Sequence, residues 1–288
     1  MKLPLPWPFD EQYMQLALAA GLVIGVCAPL IGSFLVQKRL SLMGDGIGHL
    51  AFAGVAAGAL VGVAPLAVAL AVSAAGAVAI ERLRSRGRAS GDLVLALFLY
   101  SGVAAGVVLL SRAGSLNTSI AYLFGAILTI SPSELWVVVG LGVLIVAVMA
   151  LMGRALFAVV LDEESARVAG LPVDGLNTAL AVLTAVTIVA AMRVVGVLLV
   201  AALMVLPVAS AQQLSRSFRS TVAWAVAVGA VSVVTGLVVA RAWALAAGAT
   251  IVLVAAAVYA LTTALAGRLR RPGRGLEGTG GPRLTSAP

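Results

Sequence analysis

Residues 12–36 read QYMQLALAAGLVIGVCAPLIGSFLV, a run of 25 residues without a charged side chain. A helix rises about 1.5 Å per residue, so this run is long enough to cross the roughly 30 Å hydrocarbon core of a bilayer. The basic residues Lys38 and Arg39 follow it, as is typical of the cytoplasmic end of a membrane helix. The run therefore predicts a transmembrane helix.

The composition of the whole chain follows the same pattern. Of its 288 residues 62% are apolar and only 10% are charged, whereas soluble domains carry about 25% charged residues. The net charge is +8, but the basic residues lie between and beyond the apolar runs rather than in one patch with interleaved aromatics. The composition therefore excludes a soluble domain, argues against a nucleic-acid partner, and predicts an all-α polytopic membrane protein in contact with lipid.

Nine apolar runs are candidate spans. They cover residues 12–36, 43–63, 65–80, 92–111, 133–152, 174–192, 194–212, 220–240 and 244–266. With the N-terminus outside, nine spans leave only four basic residues on the outer side, namely Lys2, Arg112, Arg193 and Arg241. Eight spans are the alternative, because the turns at Ala64 and Arg193 are very short.

Three segments fall outside these spans. Residues 120–130 are apolar but too short to cross a bilayer, so they predict a re-entrant helix between the fourth and fifth spans. Residues 1–11 are expected to form an extracytoplasmic N-terminal segment. Residues 267–288 are rich in Gly, Pro, Ser and Thr and are expected to be a disordered cytoplasmic tail. The transmembrane domain is therefore predicted to cover residues 12–266.

One span contains a pair of ionisable residues. Residues 41–51 read SLMGDGIGHLA, which places Asp45 four residues before His49, the only histidine of the chain. That spacing puts both side chains on one helix face. A carboxylate oxygen and an imidazole nitrogen suit Zn²⁺, Mn²⁺ or Fe²⁺, or the pair could carry protons or simply hydrogen-bond. Two ligands bind a metal weakly, so no tightly bound cofactor is expected, and two copies about a two-fold axis would supply four.

The same span has Gly54, Gly58 and Gly62 at intervals of four residues. Small residues at this spacing let a neighbouring helix approach the backbone closely. The neighbour is either another helix of the same chain or a helix of a second copy.

Charged residues also stand at the ends of spans. Glu134 lies at the start of the fifth span, where the helix dipole favours an acidic residue. Arg193 and Arg241 lie at outer ends of spans, from which a guanidinium group can snorkel to the lipid headgroups.

Residues 161–172 read LDEESARVAGLP, a short helix-forming stretch on the predicted cytoplasmic side. Glycine and proline at its end are typical of a helix terminator. Its charged residues and terminal glycine are Asp162, Glu163, Glu164, Arg167 and Gly170. From the residues alone, this stretch is a solvated loop helix.

Nucleotide chemistry is absent from the sequence. The only lysines are Lys2 and Lys38, and neither follows a glycine, so the chain has no Gly-x-x-x-x-Gly-Lys-Ser/Thr phosphate loop. The chain is therefore not expected to be an enzyme, and any ATP hydrolysis must be done by another polypeptide.

Four stretches resemble the transmembrane permease subunits of ABC importers for zinc, manganese and iron. They are GSFLV through GDGIGH at 32–49, IAYLFG at 120–125, DEESARVAG at 162–170, and MRVVG through LPVAS at 192–210. Family members often have Asp-x-Pro-x-Gly before the last span, where this chain reads ALAAG at 244–248. The resemblance covers most of the chain, and only the glycine of that last motif matches.

The resemblance implies a multi-pass protein of the bacterial cytoplasmic membrane that works with a second permease copy, cytoplasmic ATP-binding subunits and an extracytoplasmic metal-binding protein. It implies that Asp45 and His49 line the metal path. It also implies that the helix near 162–171 couples to the ATPase.

Three alternatives remain at this point: a proton-coupled secondary metal carrier, an ABC permease for a metal chelate, and a membrane scaffold without transport activity. The ligand types do not distinguish among zinc, manganese and iron.

Overall fold

The computed structural model describes residues 8–87, 91–113, 122–125 and 130–269. Their helices are α1 Gln12–Gln37, α2 Met43–Val61, α3 Pro65–Ser85, α4 Gly91–Ala113, α5 Pro132–Leu161, α6 Glu163–Val168, α7 Val173–Met192, α8 Val197–Leu214, α9 Phe218–Trp243 and α10 Ala247–Leu269. In this part of the chain nine helices are long and apolar enough to cross a membrane, and α6 is the short one. The predicted all-α architecture with nine spans is confirmed for these residues.

Most helix limits differ from the sequence prediction by a few residues, and two of the differences have a clear physical cause. Helix α5 runs nine residues past the predicted end at 152, because the exposed Arg154 does not interrupt its backbone hydrogen bonds. Helix α8 begins at Val197 rather than at 194, because Gly196 has a φ of 94°, which a helix interior does not accommodate. The chain reversal between α7 and α8 therefore extends from Arg193 to Gly196.

The three segments predicted outside the spans are only partly described. Helix α10 extends to Leu269, three residues into the predicted tail at 267–288. Residues 122–124 form a helical turn, but most of the predicted re-entrant helix at 120–130 lies outside the described residues. The rest of the predicted tail and residues 1–7 lie outside them too.

Charged residues at helix ends show how the helices alternate. At one face Lys38, directly after α1, pairs with Glu163 of α6 and hydrogen-bonds Asn177 near the start of α7. At the opposite face Arg193, after α7, pairs with Glu134 at the start of α5. The first contact places the end of α1 beside the start of α7, and the second places the end of α7 beside the start of α5. Nine alternating spans require both placements. By the positive-inside rule, we expect the Lys38 face to be the cytoplasmic one.

Two arginines near one face of the bundle contact acidic and aromatic side chains. Arg193 stacks over the ring of Tyr122, 5.0 Å from its centroid, in addition to its pair with Glu134. Arg241 lies 5.2 Å from the ring centroid of Tyr13 and pairs with Asp10. In each case a carboxylate and an aromatic face contact the guanidinium, while Nε of Arg193 is buried without a hydrogen-bond partner among the described residues. Both guanidinium groups therefore have partners within the chain, which the sequence did not predict.

Helix α7 lies at the centre of the bundle. Every side chain from Leu183 to Met192 is buried, and α7 contacts α1, α2, α3, α5 and α8. Helix α2 packs between α3, α4, α7 and α8. Helices α4 and α5 expose large apolar side chains such as Tyr100 and Leu151. The pair-bearing helix α2 is thus an inner helix, and the apolar outer surface is formed largely by α4 and α5.

Glycines bring the inner helices into backbone contact. A Cβ atom at Gly32 of α1 would lie 2.0 Å from the carbonyl oxygen of Met204 in α8, and one at Gly229 of α9 would lie 2.4 Å from the carbonyl oxygen of Gly25. Atoms cannot approach this closely, so any larger residue there must push two backbones apart. These contacts require glycine.

Three glycines also meet near the outer face. A Cβ atom at Gly125 would lie 2.6 Å from the carbonyl carbon of Val195, and one at Gly248 would lie 2.4 Å from the carbonyl oxygen of Val195. A Cβ atom at Gly196 would lie 2.4 Å from the carbonyl carbon of Phe124. We call Gly125, Gly196 and Gly248 the glycine junction. Its geometry explains why 244–248 needs its glycine even though the rest of that motif is absent.

Gly32→Ala is expected to lower the stability of the bundle by about 1–3 kcal/mol or more, because overpacking displaces α8. Gly140→Ala is the matched control, since no heavy atom lies within 4 Å of a Cβ atom built there. Alanine in an open helix position stabilises by up to about 1 kcal/mol. Thermal unfolding of the purified proteins in detergent measures both, and equal midpoints for Gly32→Ala and wild type would contradict this packing.

The alternation of spans predicts which introduced cysteines are accessible. In a Cys27→Ser background, Ser85→Cys at the end of α3 should react with an impermeant thiol reagent only after the membrane is opened. Ser133→Cys at the start of α5 should react in intact cells. The side chains of Ser85 and Ser133 are both exposed, but the alternation of spans places them on opposite sides of the membrane. Labelling of Ser85→Cys from outside would rule out the nine-span topology.

Candidate metal path

Helix α2 presents Asp45 in its first turn and His49 one turn later. The helix begins at Met43, whose backbone N–H donates to the carbonyl oxygen of Leu40 at 2.9 Å. Both ionisable side chains are half-buried. The four-residue spacing places them on one face, so the structure brings together on an inner helix the two residues that the sequence singled out.

Small residues surround this pair on the neighbouring helices. A Cβ atom at Gly102 of α4 would lie 2.9 Å from the backbone carbon of His49, so α4 contacts α2 through its backbone. On another side, Gly44 and Gly48 face Ala201 and Val197 of α8, with distances of 3.4 Å from a built Cβ atom in each case. Helix α2 therefore packs closely against the α4 helix at Gly102 and against the side chains of Ala201 and Val197 in α8.

The pair alone is an incomplete metal site. Among the described residues, no group of three or more His, Cys, Asp or Glu side chains is close enough to hold a metal ion. A transition-metal ion in a stable site takes four or more ligands. Among the described residues, Asp45 and His49 are therefore the two candidate ligands of these types here, and further ligands would be water or would come from elsewhere.

The spaced glycines of α2 have different surroundings. A Cβ atom at Gly54 would lie 2.7 Å from Cα of Ala69, and one at Gly58 would lie 2.8 Å from Cα of Pro65, both in α3. Gly62 has a φ of 74° and ends α2 as its left-handed cap, with nothing within 4 Å. Gly54 and Gly58 thus lie at a contact within the chain, whereas Gly62 ends the helix.

Helix α6 is capped at both ends. The Asp162 carboxylate accepts hydrogen bonds from the Ser165 hydroxyl at 2.6 Å and from the backbone N–H groups of Glu164 and Ser165. These bonds, led by that from the Ser165 hydroxyl, hold the pKa of Asp162 below its usual value. At the other end Gly170 has a φ of 82°, and Leu171 N–H donates to the carbonyl oxygen of Ala166, a Schellman-type termination. The helix is thus defined by its own sequence.

The two faces of α6 have different surroundings. Ala166 is buried, and Glu163 turns inward to Lys38 and Asn177. Glu164, Arg167 and Val168 are exposed, and Val168 is 86% exposed. Arg167 pairs with Asp174 at 3.0 Å, which raises the pKa of its guanidinium. The outer face of α6 is therefore a charged surface with an apolar side chain at its end.

Two polar contacts near these elements were not predicted. Lys38 and Asn177 bind Glu163, and Glu134 binds Arg193 in addition to capping α5 through Ser131. The partners of Lys38 lie 125 and 139 residues away in sequence. The capping box of Ser131 and Glu134 is a recognisable sequence signal, but no local pattern identifies the long-range partners.

Comparison with known proteins finds the same architecture elsewhere. The solved structure of PsaBC from Streptococcus pneumoniae in complex with Fab includes a chain that is 28% identical, with a TM-score of 0.80. The match covers 88% of this chain and 91% of that chain. The nine-span arrangement and its inner helix are therefore those of a known fold.

Relatives in sequence point the same way. The "Probable metal transport system membrane protein" of Treponema pallidum is 36% identical over 78% of this chain and 85% of its own length. Manganese transport system membrane protein MntC of Halalkalibacterium halodurans is 30% identical, with 88% of each chain covered. High-affinity zinc uptake system membrane protein ZnuB of Haemophilus influenzae is 29% identical, over 85% of this chain and 95% of its own.

A family model described as the ABC 3 transport family matches residues 10–266, which include all nine spans and α6. The chain is a multi-pass membrane protein and belongs to the ABC 3 transport family.

Proposed function

We propose that this chain is the permease subunit of an ABC importer, and that Asp45 and His49 line the path of a divalent transition metal. The observation that carries the proposal is the position of this pair, half-buried on an inner helix that packs closely against α4 and α8. The relatives named for manganese and zinc transport support the metal as cargo. Carboxylate and imidazole ligands suit both of these metals and ferrous iron.

The small number of ligands fits transport. A carrier must bind the metal ion strongly enough to displace part of its hydration shell and weakly enough to release it. Two protein ligands, with water at the other positions, meet both requirements. A second copy of the chain about a two-fold axis would bring another carboxylate and imidazole to the same ion. We propose that the working assembly contains two permease subunits, homodimeric or heterodimeric, whose pairs face a common path.

The energy source lies in other subunits. Since the sequence has no phosphate loop, we propose cytoplasmic ATP-binding subunits that dock against α6, with an extracytoplasmic metal-binding protein delivering the ion. The exposed residues Glu164, Arg167 and Val168 would form the docking surface, while Asp162 and Gly170 define the ends of the helix. A preformed, capped helix on the cytoplasmic face supports this role.

Asp45→Asn and His49→Ala should each reduce metal uptake about tenfold or more, because losing one of two ligands to a common ion removes most of its binding. The double variant should be little worse than either single variant, since the two residues act as a unit. The assay is uptake of Mn²⁺ and Zn²⁺, each alone, into vesicles holding the complete complex at matched expression.

Asp92→Asn is the matched control, because Asp92 lies in the first turn of α4 and is exposed. It should transport as wild type does. Near-normal uptake by both single variants would return Asp45 and His49 to a purely structural role. Strong uptake driven by a proton gradient in vesicles holding this chain alone would instead establish a secondary carrier.

Asp162→Ala should loosen the start of α6, because the backbone N–H groups of Glu164 and Ser165 lose their acceptor. Asp162→Asn should preserve the helix, since asparagine caps about as well as aspartate. Hydrogen–deuterium exchange of residues 162–170 measures this directly, with faster exchange expected in Asp162→Ala only. ATP hydrolysis by the complex should fall in the same variant, and unchanged exchange in Asp162→Ala would show that the cap does not hold the helix.

A further inference from the structure

Lys38 is a buried cation at the junction of three helices. It follows the last residue of α1, and its side chain is only 6% exposed. Its ammonium donates hydrogen bonds to Glu163 Oε1 and to Asn177 Oδ1, each at 2.5 Å. Asn177 Nδ2 also donates to Glu163 Oε1, at 3.2 Å. The end of α1, the first residue of α6 and the start of α7 are thus joined through one polar cluster, which we call the Lys38 cluster.

Charge compensation holds this cluster together. Partial burial by itself would raise the pKa of Glu163, but the hydrogen bonds and charge of Lys38, the amide of Asn177 and the charge of Arg84 hold that pKa below its usual value. Glu163 is therefore ionised at neutral pH. A buried ammonium without its carboxylate partner is costly, so Lys38 is expected to follow Glu163 when α6 moves.

The connection from Lys38 to α2 is short and internally hydrogen-bonded. Arg39 has a φ of 58°, and Leu40 N–H donates to the carbonyl oxygen of Leu35 at 2.8 Å. Leu40 is buried, and its carbonyl accepts the first hydrogen bond of α2 from Met43. Asp45 lies seven residues after Lys38. With the connection closed in this way, a displacement of Lys38 is passed to the first turn of α2.

We propose that Lys38 is a positioning residue that transmits movement of α6 to the Asp45–His49 pair. The proposal rests on the proposed function, because it takes α6 as the element on which the ATP-binding subunits act. Lys38 touches neither the metal path nor the outer face of α6. Its contribution is the mechanical link between the docking helix and the helix that carries the ligands.

Such a link predicts a specific defect when it is cut. Lys38→Met keeps the length and the apolar stem of the side chain but removes the ammonium. Glu163→Gln keeps the shape of its side chain but removes the charge. In either variant α6 should still dock and ATP should still be hydrolysed, whereas the movement of α2 should follow less often. The number of metal ions imported per ATP hydrolysed should therefore fall.

The test uses the complete complex in vesicles, with uptake of Mn²⁺ and ATP hydrolysis measured on the same sample. Lys38→Met and Glu163→Gln should each lower the ratio of ions to ATP about fivefold, within the range seen for residues that carry coupling between sites. The double variant should be no worse than either single variant. Lys38→Arg, which retains a charged donor, should restore much of the ratio. The metal concentration for half-maximal uptake should not change.

Arg154→Met is the matched control, because Arg154 is an exposed basic residue near the cytoplasmic end of α5. It should keep the wild-type ratio. If Lys38→Met and Glu163→Gln keep that ratio too, or if uptake and ATP hydrolysis fall in proportion, the link is overturned and the cluster is structural. Glu163→Gln decides the question even if Lys38→Met fails to assemble. Failure of the wild-type complex to import metal on ATP hydrolysis would instead overturn the proposed function, and the link with it.

Discussion

Backbone contact between helices is the constraint on which the rest of this structure depends. In hydrocarbon, apolar side chains gain little by packing against one another, so close approach and dispersion hold the helices together. Gly32 lets α8 approach the backbone of α1, and Gly54 lets α3 approach the backbone of α2. Gly102 lets α4 approach the backbone of α2 at His49. The inner position of α2 follows from these contacts, and so does the placement of its two ionisable side chains inside the bundle.

The polar contacts between helices described above lie in two groups, one at each end of the helix bundle. At the face expected to be cytoplasmic, the Lys38 cluster ties α1, α6 and α7 together. At the outer end, Glu134 and Arg193 tie α5 to the turn before α8. Between these ends the described spans offer Asp45 and His49 as the candidate metal pair. The arrangement places the candidate ligands between two polar clusters that tie the helix ends together.

The extent of sequence-based prediction here has a physical basis. Each span is a local property, since a helix in lipid must satisfy its own backbone hydrogen bonds, and the spacing of Asp45 and His49 follows from 3.6 residues per turn. Limits set by tertiary contact were missed, as at Gly196. Pairings across the chain were missed too, because Arg241 and Asp10 are 231 residues apart and nothing local relates them.

The glycine junction has a mechanical consequence. Where Gly125, Gly196 and Gly248 meet, main chains touch directly, so there are no side-chain rotamers that could absorb a change in their separation. Packed contacts of this kind shift between discrete arrangements rather than deforming gradually. We therefore expect the segments around these glycines to move together, with any hinge lying beyond them.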